Sequence, residues 1–421
     1  MNLNYRRKKR ERHHEASHDD AESTTPPLAH ALVPKGDVEW IDDAAALTEF
    51  LEHVKSQPLF AFDTEFIGEE SYWPKICVVQ LATPERIALV DAIAISDLTP
   101  VYELVCAEEH LTIVHAGGQD LEPAQRAVGS APKGVIDVQI CAAFAEMPWP
   151  AGLEKLVDHF AEHRITKGHT FTNWDARPLT ASQLRYAADD VRYLPLVWET
   201  LKARLTERGT LPWALRECED ALRLPKRYDE EGQIRRILKV WPMRPTQLPV
   251  LRKVLALRDE IARIENLPQR VTMPDEAIME LARQKPDSLE QLQGIKGIPK
   301  RLLYAYSDRV LAAIADGASL PAEKLPAPRI KEETATDRAR VDALVAISSM
   351  RCLAQGLAPG MVFSRSDIST WWLERNSKEA PSVFTAGDWR SDALGLWLAE
   401  FVEGESAFSI RWTNDAPTIA P

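Results

Sequence analysis

Residues 59–66, Leu-Phe-Ala-Phe-Asp-Thr-Glu-Phe, form an apolar run that carries two acids at its end. Leu59 to Phe62 read as a buried β-strand, and strand side chains alternate between faces. Asp63 and Glu65 therefore point the same way, side by side. Two anions held that close repel each other unless positive charge lies between them. A strand end opening into solvent is one reading, and a metal site is the other.

Further acids bear on that choice. The stretch TIVHAGGQDLE (residues 112–122) sets Asp120 just after a strand and a Gly-Gly break, where the backbone turns sharply and a ligand can approach closely. The stretch LRYAADDVRYLPLVW (184–198) reads as an amphipathic helix. Tyr186 and Asp190, four residues apart, share one face of it. Asp189 lies about 100° around the helix and reads as a solvated neighbour. Asp63, Glu65, Asp120 and Asp190 thus stand at the ends of elements of one sheet-centred domain. With no thiol or imidazole cluster nearby, such a set suits hard divalent cations, Mg²⁺ or Mn²⁺. Two such ions about 3.5–4 Å apart are a common solution to phosphodiester hydrolysis.

The bulk properties agree with a soluble globular protein. The chain has 421 residues, 45% of them hydrophobic and 27% charged, which implies more than one domain. No apolar run reaches membrane-spanning length, and the amino terminus lacks the apolar core of a secretory signal. A cytoplasmic protein with no membrane attachment is expected. The five cysteines are odd in number, scattered and embedded in apolar runs, so buried thiols without a disulfide-linked partner are expected. The net charge of −12 argues against an all-over basic surface, but the local basic stretches RRKKRER, QIRRILKVWPMR and GIKGIPKR remain compatible with nucleic acid.

Residues 1–35 are polar and read as a disordered arm. Residues 36–223 carry three closely spaced strands, LFAFDTEF, ICVVQLAT and IALVDA, then alternating helix and strand: an α/β domain with a mixed sheet. A proline- and charge-rich connector over 224–246 leads to a small all-helical domain, 247–318. A linker over 319–336, a second all-helical domain over 337–405 and a polar tail over 406–421 complete the chain. His115 is expected to be a packed strand histidine.

The stretches FDTEF, HAGGQDLE and YAADDVRYL, in this order, resemble the three exonuclease motifs of the DEDD superfamily. The flanking SYWPKICVVQLA and RPLTASQLRYAADDVRYL resemble the ribonuclease D family, and the helical blocks resemble two carboxy-terminal HRDC-type domains. The tyrosine subclass is indicated, because Arg185 stands where the other subclass has histidine. The resemblance implies a ribonuclease H-like exonuclease domain followed by two small all-α domains. It implies a metal-dependent 3′→5′ exoribonuclease that releases 5′-mononucleotides by two-metal hydrolysis, acting on RNA with a free 3′ end such as tRNA precursors and other small structured RNAs. A DNA exonuclease and a catalytically silent RNA-binding protein are the rival readings.

Carried onto this chain, the resemblance has Asp63, Glu65 and Asp190 binding one cation. Asp63 bridges to the second, with Asp120 contributing through water, and Tyr186 orients the attacking water. Phe66, Tyr72 and Trp73 are candidates for stacking on terminal bases, although Phe66 reads equally as core. Lys296, Lys300 and Arg301, in LQGIKGIPKRLL, are candidates for phosphate contacts. A monomer is expected.

Overall fold

The computed structural model describes residues 26–165, 173–223, 228–323, 333–375, 384–385, 387–405, 409–413 and 416–420. Six strands form one mixed sheet: β1 (Glu39–Ile41), β2 (Leu59–Ile67), β3 (Lys75–Ala82), β4 (Ile87–Asp91), β5 (Leu111–Val114) and β6 (Val135–Asp137). Their spatial order is β1-β4-β3-β2-β5-β6. The β2–β3 and β3–β4 pairs are antiparallel, whereas β1 on β4, β5 on β2 and β6 on β5 are parallel. The strand β2, with its acids, thus lies inside the sheet with a partner on each side.

The strand alternation sorts the side chains. Phe60, Phe62, Val79, Leu81, Ala88 and Val90 pack beneath helices α1 (Ala44–Lys55), α2 (Thr99–Cys106) and α3 (Gly118–Val128). Ala61, Ala82 and Ile113 face the opposite layer, which holds α4 (Val138–Ala142), α5 (Leu153–Phe160), α6 (Ala181–Arg192), α7 (Leu194–Arg208) and α8 (Leu211–Ala221). The single helix read from LRYAADDVRYLPLVW is two. Pro195 cannot donate a backbone hydrogen bond to a continuing helix, and the chain restarts there with proline in the first turn. Among the elements not anticipated, β1 is a three-residue edge strand, and α1 is capped by the Asp43 carboxylate, which accepts from the Ala45 and Ala46 amides.

Two boundaries differ from expectation at the amino-terminal side. Residues 1–25 of the expected arm lie outside the described residues, but Leu28, Leu32 and Val33 pack on the sheet's core, and the Pro34 carbonyl accepts from Arg192. Within the expected connector, of which 224–227 lie outside the described residues, α9 (Glu230–Val240) begins at an Asp229 cap and buries Ile234 and Ile237. The flanking prolines had hidden a short amphipathic helix. With α10 (Leu248–Ile264) and the helices Asp275–Gln284 and Lys300–Ser319, it forms a separate apolar core around Leu251, Leu255, Ile278 and Leu302.

The second helical block is not separate. Within the expected linker, residues 324–332 lie outside the described residues, and Thr334 caps the helix Ala335–Ala354. Val341, Leu344, Cys352, Trp371, Trp389 and Leu398 belong to one continuous apolar cluster with Phe144, Leu156, Val197 and Leu201 of the α/β domain. Polar contacts cross the same boundary. Arg390 forks onto the Glu217 carboxylate at 2.7 and 2.8 Å, the Trp389 indole N–H donates to it at 2.9 Å, and the Trp389 ring stands 4.8 Å from that of Phe144. The expected polar tail carries two antiparallel strands, β7 (Ser409–Thr413) and β8 (Ala416–Ala420).

This shared core has a measurable consequence. Trp389→Ala is expected to destabilise the α/β domain by about 3–5 kcal/mol, as for other large-to-small core changes. Denaturant melts would read the loss, and hydrogen exchange would show faster opening of α4 and α8 against an unchanged α10.

Candidate active site

Asp63 and Glu65 project from the face of β2 turned toward α6. In the register, Asp63 lies opposite Gln80 and Glu65 opposite Val78; a bulge then shifts the pairing so that Phe66 lies opposite Ile76. Bulges bend a strand and shift its pairing, here immediately after the second acid. Thr64 points to the other face and donates its hydroxyl to Asp120 at 2.5 Å. Asp120 sits in the first turn of α3 and is 7% exposed.

The turn into α3 is built for close approach. A Cβ at Gly117 would stand 2.6 Å from Val114 Cβ, and Ala116 takes a left-handed backbone with φ 55°. Asp137, at the end of β6, holds this turn: its carboxylate accepts from the amides of Ala116 at 3.0 Å, Gly117 at 3.2 Å and Gln139 at 2.9 Å. The glycine therefore answers first to strand packing. Asp137 was not singled out in the sequence, although GVIDV carries an acid straight after its apolar residues, as FDTEF does. His115, expected as a packed strand histidine, lies one residue past β5 and is half-buried, with Nε2 3.0 Å from the Ala151 carbonyl.

Helix α6 brings the remaining pair. Thr180 and Gln183 form a capping box at its start, and Tyr186 donates its hydroxyl to Asp190 one turn on. The approach to α6 is clamped by Arg177. Its guanidinium forks onto Asp91 at 2.6 and 2.8 Å, and also donates to the carbonyls of Trp174 at 2.9 Å, Ala176 at 2.8 Å and Cys77 at 2.8 Å. One side chain thereby ties the segment before the tyrosine helix to β3 and β4. The Trp174 ring packs 6.1 Å from that of Tyr186.

Burial and mutual repulsion dominate the electrostatics. Burial pushes Asp63 well above the usual carboxylate range, and the charges of Asp120, Asp190 and Glu65 push it further. Glu65 is pushed up to about 9 by burial, then by Asp190 and Asp120. Burial raises Asp190 to about 8 against the Tyr186 hydrogen bond, and raises Asp120 to about 6 against the Thr64 bond. Tyr186 is driven upward by burial and by Asp190, Glu65 and Asp63, so its phenol stays protonated at any working pH. Asp190 Oδ2 and both amide atoms of Gln80 are buried without a partner.

An all-oxygen set of crowded, desolvated carboxylates with an orphaned oxygen fits divalent cations. Among the described residues, no three His, Cys, Asp or Glu side chains are gathered closely enough to enclose an ion alone. That is compatible with Mg²⁺, which keeps several waters and uses one or two carboxylates plus substrate phosphate oxygens.

The remaining expected site residues fare differently. Phe66 is half-buried beside Gly68 and Pro74. Tyr72 is only 6% exposed and bonds to the helical domain, so its ring is not open to a base. Trp73 carries the Arg126 guanidinium 4.0 Å above its ring. Lys296 and Lys300 are exposed, while Arg301 is engaged by Glu265. Asp189 is not a solvated neighbour: its side chain is 20% exposed, 3.7 Å from Arg192, and burial pushes it up to about 6.

A mixed six-stranded sheet with two acids on its inner strand, a third at a following helix start, and a tyrosine–aspartate pair on a packed helix define a 3′→5′ exonuclease. A 3′–5′ exonuclease family model matches residues 38–206, and an HRDC domain model matches residues 247–314. Ribonuclease D of Pseudomonas paraeruginosa is 31% identical over 379 residues, spanning 88% of this chain and 99% of that protein. Ribonuclease D of Granulibacter bethesdensis is 33% identical over 380 residues, 88% and 93% of the two chains. The crystal structure of Escherichia coli RNase D, described as an exoribonuclease involved in structured RNA processing, superposes with a TM-score of 0.71 at 27% identity, covering 88% of this chain and all of that one. The chain belongs to the ribonuclease D family. It is a 3′→5′ exoribonuclease that yields 5′-phosphomonoesters, of a family that generally depends on divalent metal. Among the described residues, no helix is long and apolar enough to cross a membrane.

The charge crowding predicts an unusual pH response. A carboxyl whose folded pKa is raised favours folding at low pH, and that stability disappears as pH rises through the folded value. With chelator present, the melting temperature should fall as pH rises through the values near 6, 8 and 9 for Asp120, Asp190 and Glu65. Mg²⁺ should reduce the fall, and Asp63→Asn should flatten it in chelator. A flat wild-type profile would mean the acids are not crowded.

The Arg177 clamp has the opposite sign. Burial works against the Asp91 charge, but the Arg177 fork and the Ile93 and Ala94 amides outweigh it and hold the carboxyl below its ordinary range. Its contribution is present above the unfolded value of about 3.9 and is lost as pH falls through the lower folded value. Arg177→Ala should cost about 3–5 kcal/mol at neutral pH, since it strands a buried charge. Urea melts should show a smaller loss in acid.

Proposed function

We propose that this exoribonuclease trims the 3′ ends of tRNA precursors and other small structured RNAs by two-metal hydrolysis. The observation that supports the mechanism is the proximity of the half-buried Asp63, Glu65 and Asp190 to the buried Asp120, beside a tyrosine bonded to one of them. Asp63, Glu65 and Asp190 would hold one divalent cation together with water and substrate oxygens, and Asp63 and Asp120 would serve a second. When bound, two Mg²⁺ or Mn²⁺ ions supply activation of the attacking water and charge stabilisation at the leaving oxygen. Tyr186 stays protonated, so it serves as a hydrogen-bond donor and positioner and not as the proton acceptor. Asp137 and Thr64 hold Asp120 in place, and the Arg177 clamp does the same for α6.

The substrate class is supported by the HRDC match and by the description of the E. coli relative. Lys296 and Lys300 are suited to phosphate contacts at the rim of the helical domain, and Phe66 to the terminal base. The protein acts as a monomer in the cytoplasm.

The test uses a tRNA with a 3′ extension, resolved at single-nucleotide steps. Wild type should produce a ladder shortening from the 3′ end with Mg²⁺ or Mn²⁺ and none with chelator, and Asp63→Asn none under either condition. Tyr186→Phe should lower kcat by about 10²–10³-fold, the scale of a lost positioning group, without changing the shape of the pH profile, because the phenol does not titrate. An acidic limb that vanished in Tyr186→Phe would overturn the positioning role.

A further inference from the structure

The loop between β2 and β3 leaves the acidic strand at Ile67 and returns at Lys75. Its tip is held by the helical domain. The Tyr72 hydroxyl donates to Asp259 Oδ1 of α10 at 2.8 Å, and Asp259 is itself only 2% exposed. The same carboxylate accepts from Gln269 at 2.6 Å and from Arg263 at 2.6 Å. One residue on, the Trp73 backbone N–H donates to Asn266 Oδ1 at 2.9 Å. Asn266 has φ 48°, a left-handed backbone that asparagine tolerates better than most residues, so the local turn aims its side chain.

On its other side the loop touches α3. Arg126, from the helix that begins beside Asp120, stacks on the Trp73 ring. The loop is thus gripped between the helical domain and an element of the active site, and it is covalently continuous with the strand that carries Asp63 and Glu65. The same corner of the helical domain holds the basic turn: Glu265, next to Asn266, binds Arg301 and accepts the Tyr306 hydroxyl at 2.7 Å.

We propose that residues 68–74 form a strap, anchored by Tyr72 on Asp259 and Trp73 on Asn266, that sets the helical domain against the exonuclease site so that long RNAs enter in register. Tyr72, Asp259 and Asn266 are positioning residues; they touch neither the acids nor the scissile bond. Fixing two bodies in advance removes an orientational cost that only a substrate engaging both would otherwise meet. The proposal rests on the acid array being the exoribonuclease centre, and it predicts a substrate-length dependence that a merely structural contact would not give.

The experiment uses the full chain with Mg²⁺ and the double variant Tyr72→Phe/Asn266→Gly. Phenylalanine keeps the ring and loses the donor; glycine keeps the left-handed backbone and loses the acceptor. On a single-stranded RNA of about five nucleotides, kcat and KM should stay within about twofold of wild type, whereas KM for a 3′-extended tRNA should rise about tenfold with kcat much less affected. Asn266→Asp, which retains an acceptor oxygen, should behave as wild type. Equilibrium binding of the extended tRNA in chelator should weaken by the same about tenfold and needs no turnover, so it reads the strap even if the metal-dependent reading fails. Equal losses on both RNAs, or no loss on either, would overturn the proposal. Should the double variant melt below the assay temperature, Tyr72→Phe alone carries the comparison, with the same outcomes.

Discussion

The structure depends on keeping four carboxylates together where they least want to be. Each is largely buried, and for Asp63 and Glu65 the strongest charges acting on them belong to other carboxylates. Left to relax, such groups would move apart or take up protons. The surrounding architecture opposes both. Strand β2, paired with β3 at the acids and with β5 just before them, fixes Asp63 and Glu65, the Thr64 hydroxyl and the Asp137-held turn fix Asp120, and a capped, clamped helix fixes Tyr186 and Asp190. The unpartnered atoms of Asp190 and Gln80 belong to the same picture: polar capacity retained inside a core, at an energetic disadvantage that packing elsewhere offsets.

That offset comes partly from unexpected quarters. The apolar cluster beneath the sheet extends into helices from the last quarter of the chain, closed by the Glu217–Arg390–Trp389 contact. The middle helical domain keeps its own core and meets the α/β domain through polar contacts at the strap. One helical block is therefore a structural part of the nuclease, and the other is an attached module.

Much of this was legible in the sequence, for identifiable reasons. Period-two alternation in LFAFDTEF and the four-residue spacing of Tyr186 and Asp190 translate directly into which side chains share a face, so the acids could be placed together without coordinates. The middle helical core followed from the spacing of Leu251, Val254 and Leu255. What failed to show was non-local. Nothing in the linear order says that Trp389 packs on Phe144, that Tyr72 is drawn to Asp259, or that Asp137 reaches back to the Ala116 turn. Tyr72 and Trp73 beside an acidic strand have the composition of a stacking platform, and only the fold turns them toward a neighbouring domain. Short elements escaped for a different reason: β1 has too few residues to display a period, and α9 is framed by prolines.

The shared core also has a consequence in time. The chain is made from its amino terminus, and domains ordinarily fold as they emerge. Here part of the α/β unit's apolar face is covered by residues such as Trp371, Trp389 and Leu398, which are made last. The middle domain, which has its own core, can fold before the last helices of the nuclease core have been made. A nascent chain that lacks these residues would thus hold its catalytic acids on an unfinished scaffold, so the nuclease is expected to complete its fold late in synthesis.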